Sequence, residues 1–210
     1  MLRLVVDPDH PEPRKLAQAV LQLTAGGVVA YPTDTVYALG CELDARKAIE
    51  RLYHLKGMTA KQPLALLLPD LGEVARYGVV SDSAYRLMKR LVPGPYTFIL
   101  EATREVPRTL LIERDKRRTV GVRVPDHPVA QALLRALGRP ILSTSAVGEP
   151  DEEGHREGLG DPNEVRDRYG HGIDCLVDGG YTGIDVSTVL SLVRDEVEVL
   201  REGKGPVDVL

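Results

Sequence analysis

Two hydrophobic periods alternate along this chain, and this alternation limits the folds open to it more than any other feature. Leu16, Val20 and Leu23 have the i, i+4, i+7 spacing of an amphipathic helix, and the apolar run at 28–31 has the composition of a buried strand. Further helical segments are predicted near 44–55, 81–91 and 130–137, and further strands at 64–68, 96–100, 119–124, 141–142, 173–177, 187–193 and 197–200. Helices that alternate with strands in this way predict an α/β fold.

The spacing of the strands predicts how the sheet is built. Strands follow one another closely within 96–124 and within 173–200, which favours antiparallel pairs beside the parallel ones. We therefore expect a mixed parallel and antiparallel sheet. The 210 residues, 43% of them hydrophobic, are enough to bury a large core, and no linker or internal repeat interrupts them, so we expect a single domain over 1–210.

Several features are missing from the sequence. No apolar run approaches the ~18 residues that span a bilayer, and the first residues lack the apolar segment of a signal peptide, so we expect a cytoplasmic protein. Cys41 and Cys175 lie far apart and form no C-x-x-C pair, which predicts structural thiols. The five histidines have no metal-ligand spacing, and His127, which lies among prolines, is expected to shape the start of a helix. We expect no metal site and no tightly bound cofactor.

Charge is unevenly distributed along the chain. The net charge of −4 argues against a protein that is basic all round, but basic residues gather at 104–123 and acidic ones at 149–167. The candidates for RNA binding are Arg114, Lys116, Arg117 and Arg118. The alternative is that both segments are solvated loops of opposite sign. The acidic, glycine-rich stretch at 148–160 is expected to be a mobile loop or lid.

Polar side chains cluster where two predicted strands end. The sequence Thr-Asp-Thr at 33–35 follows the strand at 28–31, and Ser-Thr-Ser at 143–145 follows the strand at 141–142. Successive hydroxyl groups in a turn can wrap an anion, because each donates a hydrogen bond and the backbone N–H dipoles converge. Each cluster alone is equally compatible with a capped turn. The standard ATP and NAD fingerprints are absent.

Cations complete this set of polar groups. Arg123 and Arg201 lie near the ends of predicted strands, where open α/β sheets bind ligands, and arginine grips a phosphate or carboxylate through two parallel hydrogen bonds. Lys56 follows the second helix, and its alternative is a solvated helix end. Together, the hydroxyl groups and cations predict a site for an anionic, nucleotide-like ligand.

The order and spacing of seven blocks resemble the YrdC-like family, and the details are most like its YciO branch. The resemblance covers nearly the whole chain. The blocks are Y-P-T-D-T-V-Y-A-L-G at 31–40, L-K-G-M with Q-P-L at 55–64, P-G-P-Y-T-F-I-L at 93–100, V-R-V-P-D-H-P at 122–128, S-T-S-A at 143–146, S-T-V-L at 187–190 and R-E-G at 201–203.

The resemblance implies a fold and a reaction. The fold would be a twisted mixed sheet flanked by helices, with a positively charged concave surface. The reaction would be that of a threonylcarbamoyl-AMP synthase, which joins L-threonine, bicarbonate and ATP, with Mg²⁺, into an acyl-adenylate and pyrophosphate for the threonylcarbamoyl modification of tRNA. Residues implied on the threonine or carbamate side are Thr35, Arg123, Ser143 and Ser187. Residues implied against the nucleotide are Lys56, Thr119, Ser145 and Arg201. No catalytic residue is identified.

Four positions depart from the synthase pattern. Met58 stands where the K-x-R pattern has its second cation, and Gln62 replaces the Asn before Pro-Leu. Leu67 replaces a His, and Val147 stands where the S-x-N-x-S-G signature has its Asn. Each lost charged or bidentate contact would cost roughly 1.5–3 kcal/mol of binding. We therefore expect weakened or altered synthase activity.

Two other functions remain open at this stage. The first is a non-catalytic module that binds double-stranded RNA or tRNA, for which related domains have been described. The second is a scaffold that binds a protein partner through the acidic loop at 149–160.

Overall fold

The computed structural model describes residues 1–57, 64–114 and 116–209, without the side chain of Asp195. The helices are α1 Pro13–Thr24, α2 Arg46–Lys56, α3 Val74–Tyr77, α4 Asp82–Leu91, α5 Pro128–Leu137 and α6 Pro162–Tyr169. The strands are β1 Leu2–Val5, β2 Val29–Tyr31, β3 Ala38–Cys41, β4 Ala65–Leu67, β5 Gly78–Val79, β6 Tyr96–Ala102, β7 Ile112–Arg114, β8 Arg117–Arg123, β9 Ile141–Ser145, β10 Cys175–Asp178, β11 Thr188–Ser191 and β12 Glu198–Arg201. Every predicted helix and strand is present, with ends shifted by a few residues.

The ends of the helices follow from local chemistry. Helix α2 ends at Gly57, whose φ of 58° is open to glycine without strain. Helix α4 begins after Ser81, whose side chain accepts a hydrogen bond from the backbone N–H of Ala84. His127 precedes α5, and its Nδ1 accepts from the backbone N–H of Val129 at 3.2 Å, so its predicted place at a helix start is confirmed.

The strands form one mixed sheet in the order β1-β10-β2-β3-β9-β4-β8-β6-β11-β12, with β5 beside β6 and β7 beside β8. The antiparallel pairs expected from close spacing are confirmed for β6 with β8 and for β11 with β12. Parallel pairs join β1 to β10, β10 to β2, β4 to β8 and β6 to β11. The predicted mixed sheet is therefore confirmed.

The two faces of the sheet are covered differently. On one face, α2, α3, α4 and α6 pack over a continuous core that includes Phe98 and Leu100 of β6. On the other face, α1 and α5 form a smaller core with β1, β10, β2 and β3. Thr97 and Ile99, which alternate with Phe98 and Leu100, line a cavity instead. The helices thus leave the part of the second face over β4, β8, β6 and β11 open.

Some elements were not predicted from the sequence, namely β1, β3, β5, β7, α3 and α6. Helix α6 carries a readable start signal, because the side chain of Asp161 accepts from the backbone N–H of Asn163 and Pro162 occupies the first turn. Its short length and polar composition hid the apolar period on which the prediction relied.

The two thiols are free and buried. Burial raises the pKa of Cys41 and of Cys175 to about 12, which agrees with the predicted structural role. Among the helices that the structure describes, none is long and apolar enough to cross a membrane.

Candidate functional site

A cavity of about 140 Å³ lies on the open face of the sheet. Its floor is apolar or glycine, with Ala65, Ile99 and Gly121 from neighbouring strands, and its walls carry hydroxyl groups and two guanidinium groups. The predicted residues that line it are Thr35, Ser143, Ser145, Ser187, Arg123 and Arg201. The tertiary structure therefore brings together six site residues that lie up to 166 positions apart in the chain.

Arg123 lies at the end of β8, and only 6% of it is exposed. Its Nη2 donates to Oδ1 of Asp34 at 2.6 Å and to Oγ1 of Thr35 at 3.0 Å. Its Nε has no hydrogen-bond partner among the described residues, and neither has Oδ2 of Asp34. The guanidinium is therefore anchored on one side and has a donor left for a ligand.

The turn after β2 holds Thr35 in place. The hydroxyl group of Thr33 donates to the backbone carbonyl of Val36 at 2.7 Å and lies 3.0 Å from the hydroxyl group of Thr35. The backbone N–H of Thr35 donates to Oγ1 of Thr33 at 3.2 Å. The cluster is thus a tightly bonded turn, and it also supplies a hydroxyl group to the cavity.

Ser187 and Arg201 form the opposite wall. Nη2 of Arg201 donates to the backbone carbonyl of Ser187 at 2.7 Å and to its Oγ at 3.2 Å. The hydroxyl groups of Ser187 and Thr97 lie 2.9 Å apart. Burial and the nearby Arg123 lower the pKa of Arg201. Thr97 was not predicted as a site residue, although its place in an alternating strand could have signalled it.

The expected anion-binding turn at 143–145 is wrong. Ser143, Thr144 and Ser145 belong to strand β9, which pairs with β3 and β4. Because neighbouring strands occupy the backbone N–H groups, these cannot converge on an anion. Ser143 instead accepts a hydrogen bond from the hydroxyl group of Tyr31 at 2.8 Å. The Ser143 and Ser145 side chains still reach the cavity.

Lys56 is the last residue of α2, and the alternative of a solvated helix end is wrong for it. Only 6% of the residue is exposed, and its Nζ donates to the backbone carbonyl of Ser145 at 2.6 Å. Burial, followed by repulsion from Arg156, Arg168 and Arg201, lowers the pKa of Lys56 to about 7. The ammonium group is held close to the cavity wall formed by Ser145.

A second cavity of about 340 Å³ adjoins the first. Both are lined by Leu64, Ile99, Gly121, Val189 and Arg201. Most of its wall is apolar, and the wall includes Thr119. The hydroxyl group of Thr119 donates to the backbone carbonyl of Ile112 at 2.8 Å. Thr119 is therefore separated from the hydroxyl cluster and belongs to a different compartment.

Two of the four departures from the synthase pattern can be placed in the structure. Leu67 lines the first cavity, so an apolar side chain occupies part of its wall. Val147 is buried, and its backbone carbonyl accepts a hydrogen bond of 2.6 Å from the hydroxyl group of Tyr169. Met58 and Gln62 lie outside the described residues.

The RNA-binding candidates lie on the hairpin of β7 and β8, outside the first cavity. Arg114 pairs with Glu198 at 2.7 Å, and Arg117 pairs with Glu101. Lys116 sits in the turn with a φ of 61°, and Arg118 is exposed on β8. Because two of these four cations are paired with carboxylates, the hairpin presents less free positive charge than its sequence suggests. The positively charged concave surface and the RNA-binding role both remain predictions.

The acidic loop is held firmly at its base. The backbone N–H of Gly148 donates to the carbonyl of Glu157 at 2.8 Å, and the N–H of Leu159 donates to the carbonyl of Ala146 at 3.0 Å. Residues 149–157 are exposed. The prediction of a lid is thus limited to these exposed residues. Within the described part of the chain, no group of three or more His, Cys, Asp or Glu residues could hold a metal ion.

The fold and the cavity define a class of protein, an α/β protein whose twisted mixed sheet carries hydroxyl groups and cations on an open face. A family model for the Sua5, YciO and YrdC domain, described as telomere recombination, matches residues 21–203. The chain belongs to this family, as its sequence blocks predicted.

Known relatives agree with this assignment. The chain is 45% identical over 202 residues to the uncharacterized protein YciO of Escherichia coli, covering 96% of this chain and 95% of the relative. It is 36% identical over 182 residues to the threonylcarbamoyl-AMP synthase of Halorhodospira halophila, covering 86% and 91%.

Solved structures show the same fold. The crystal structure of Escherichia coli YciO superposes with a TM-score of 0.91 at 43% identity, covering 100% of this chain and 99% of that one. Pyrococcus abyssi Sua5 complexed with L-threonine superposes with a TM-score of 0.86 at 30% identity, covering 99% of this chain and 59% of that one.

Proposed function

We propose that this protein binds an acyl-adenylate of the threonylcarbamoyl-AMP type and acts as a weak or altered threonylcarbamoyl-AMP synthase. The observation that carries the proposal is the pair of adjoining cavities that meet at Arg201, one lined by hydroxyl groups and arginines and the other mainly apolar. An acyl-adenylate has the same division, with a polar acyl part joined through a phosphate to a flat nucleoside. Relatives named threonylcarbamoyl-AMP synthases and a Sua5 complexed with L-threonine agree with it.

The smaller cavity is suited to the amino-acid part of the ligand. Arg123 has an unpaired Nε in a buried position, and a guanidinium binds a carboxylate with good geometry. The hydroxyl groups of Thr35, Ser143 and Ser187 surround the space and can donate to the carbamate or to the threonine side chain. Ligand binding there satisfies buried donors, so it gains more than the same contacts would at an exposed surface.

The larger cavity is suited to the nucleoside, and the boundary between the cavities to the phosphate. Apolar walls favour a base and a ribose, while Arg201 and Lys56 supply charge near the junction. In the synthase reaction, a carbamate oxygen attacks the α-phosphorus of ATP, and the bond to pyrophosphate breaks. These cations would stabilise the negative charge that develops on the α-phosphate. Mg²⁺ would arrive with ATP, held mainly by phosphates and water.

The substituted positions account for weak activity in this proposal. Leu67 removes a polar group from the wall of the first cavity, and Met58 carries no charge. Neither change affects the Arg123 side of the site. The acyl part is therefore expected to bind better than the triphosphate.

The proposal is tested by calorimetric titration with a hydrolysis-resistant threonylcarbamoyl-adenylate mimic, with AMP, with L-threonine and with ATP plus Mg²⁺. We expect saturable binding of the mimic. Arg123→Lys keeps the charge but loses the two-pronged grip, so the affinity for the mimic should fall about ten- to hundredfold. Arg86→Lys, an exposed residue on α4, is the matched control and should leave the affinity unchanged.

Two results would overturn the proposal. The first is no binding of the mimic to the folded wild-type protein. The second is equal affinity in Arg123→Lys and Arg86→Lys. In either case, filter binding of double-stranded RNA over a salt series becomes the next measurement, since the RNA-binding alternative predicts affinity that falls steeply with salt.

A further inference from the structure

Three cations from separate elements converge beside Ser145. Lys56 ends α2, Arg156 lies in the acidic loop and Arg168 lies in α6. Nη1 of Arg156 donates to the backbone carbonyl of Lys56 at 3.2 Å, and Nζ of Lys56 donates to the carbonyl of Ser145 at 2.6 Å. Neither Arg156 nor Arg168 belongs to a block that carries the family resemblance.

Arg168 is held in this cluster by the residue that follows it. Its guanidinium lies 5.4 Å from the centre of the Tyr169 ring. The hydroxyl group of Tyr169 is buried and bonds to the backbone of Val147, two residues beyond Ser145. The Nε of Arg168 is buried and has no hydrogen-bond partner among the described residues. The guanidinium is thus positioned by the fold and has a donor to spare.

Like charges in one place repel one another unless an anion lies between them. Repulsion from Arg156 and Arg168 adds to burial in lowering the pKa of Lys56. The carboxylate that pairs with this cluster is Glu149, which bonds to Arg168 and whose side chain is 77% exposed. A mobile surface carboxylate of this kind can be replaced by a multiply charged ligand.

We propose that Lys56, Arg156 and Arg168 form an oligophosphate-binding subsite that takes the pyrophosphate end of a nucleoside triphosphate. This inference rests on the proposed function, because it places the leaving group of that reaction. The subsite borders Ser145 of the first cavity, where the adenylate would form. The sequence has no second cation in the K-x-R position, since Met58 stands there. Arginines from the loop and from α6 supply the missing charge.

Inorganic pyrophosphate is the probe that tests the subsite, titrated by calorimetry into the full-length protein. Arg156→Gln and Arg168→Gln should each weaken pyrophosphate binding ~10-fold, because each removes one charge-assisted contact. Both variants should bind the threonylcarbamoyl-adenylate mimic within ~2-fold of wild type, because the mimic carries no pyrophosphate. Arg166→Gln is the matched control, since Arg166 lies exposed on the same helix and pairs with Asp167 at 2.7 Å.

The outcomes separate this inference from the proposed function. If the mimic binds but pyrophosphate does not, or if both arginine variants bind pyrophosphate as Arg166→Gln does, the subsite is disproved and the proposed function stands. A role of Arg156 limited to capping α2 would lower the Tm in Arg156→Gln without changing pyrophosphate affinity, which also overturns the inference. If the mimic fails to bind, the proposed function fails first.

Discussion

Lys56 shows how one residue can change its role with its surroundings. In the sequence it is a lysine before the Gly57 that ends a helix, a place where a solvated cation is usual. In the structure, the end of α2 lies against β9, so the ammonium group is buried and bonded to Ser145. A buried ammonium whose pKa is about 7 changes its charge near neutral pH.

This pKa predicts proton uptake on anion binding. At about pH 8, a group with a pKa of about 7 is mostly neutral in the free protein. Pyrophosphate favours the charged ammonium and raises its pKa, so the complex should take up as much as about one proton at Lys56. Titration in buffers of different ionisation enthalpy measures this uptake.

Lys56→Arg provides the reference for that measurement, because arginine stays charged throughout this pH range. Protons released by pyrophosphate itself are common to both proteins, so the difference between the two slopes belongs to Lys56. Equal slopes would show that Lys56 does not change its charge when the anion binds.

At the scale of elements, the acidic loop depends on a close approach at its base. A Cβ added to Gly158 would lie 2.3 Å from Cγ1 of Val36 and 2.4 Å from the backbone oxygen of Ile184. The backbone N–H of Gly158 also donates to that oxygen at 3.1 Å. The loop therefore leaves from a fixed point beside the turn that carries Thr35, while its tip is exposed.

We expect Gly158→Ala to lower the free energy of unfolding by about 1–3 kcal/mol, because the backbone must shift to admit the methyl group. The Tm measured by calorimetry should fall accordingly. Gly148→Ala in the same loop is the control, since its added Cβ would lie in ordinary contact, 3.7 Å from the carbonyl oxygen of Glu157. Equal Tm values for the two variants would contradict the close approach.

At the scale of elements, prediction worked where the pattern was local. Helices α1, α2, α4 and α5 have an apolar period and a recognisable end, and the sequence predicted all four. Strand β3 was hidden within the polar block at 31–40, and the pairing of β9 on both sides turned a predicted hydroxyl turn into a strand. Pairing between distant segments leaves little trace in either one.

For the whole molecule, the site exists because one face of the sheet is covered only in part. Helices α1 and α5 pack over one end of that face, and the strands beyond them line the cavity. The lining draws on β3, β4, β6, β8, β9 and β11, so global unfolding disperses the site. A ligand that binds there stabilises the native state as a whole.

The mimic should therefore raise the Tm of the protein. At ~100 times its Kd, a ligand specific for the native state adds about 2.7 kcal/mol, which corresponds to a shift of roughly 5–10 °C for a chain of this size. Scanning calorimetry with and without the mimic measures the shift, and AMP at the same multiple of its own Kd is the comparison. Saturable binding without a shift would mean that the mimic binds outside the folded cavity.

The sequence by itself determined the class of fold, the main helices and strands, and most of the residues that line the cavity. These depend on local periods and on blocks whose order is visible in one dimension. The tertiary structure alone decided that Lys56 is buried, that Asp34 anchors Arg123, and that Arg156 and Arg168 meet beside Ser145. Each of these is a contact between segments far apart in the chain, and its energy depends on burial and distance, which one sequence does not contain.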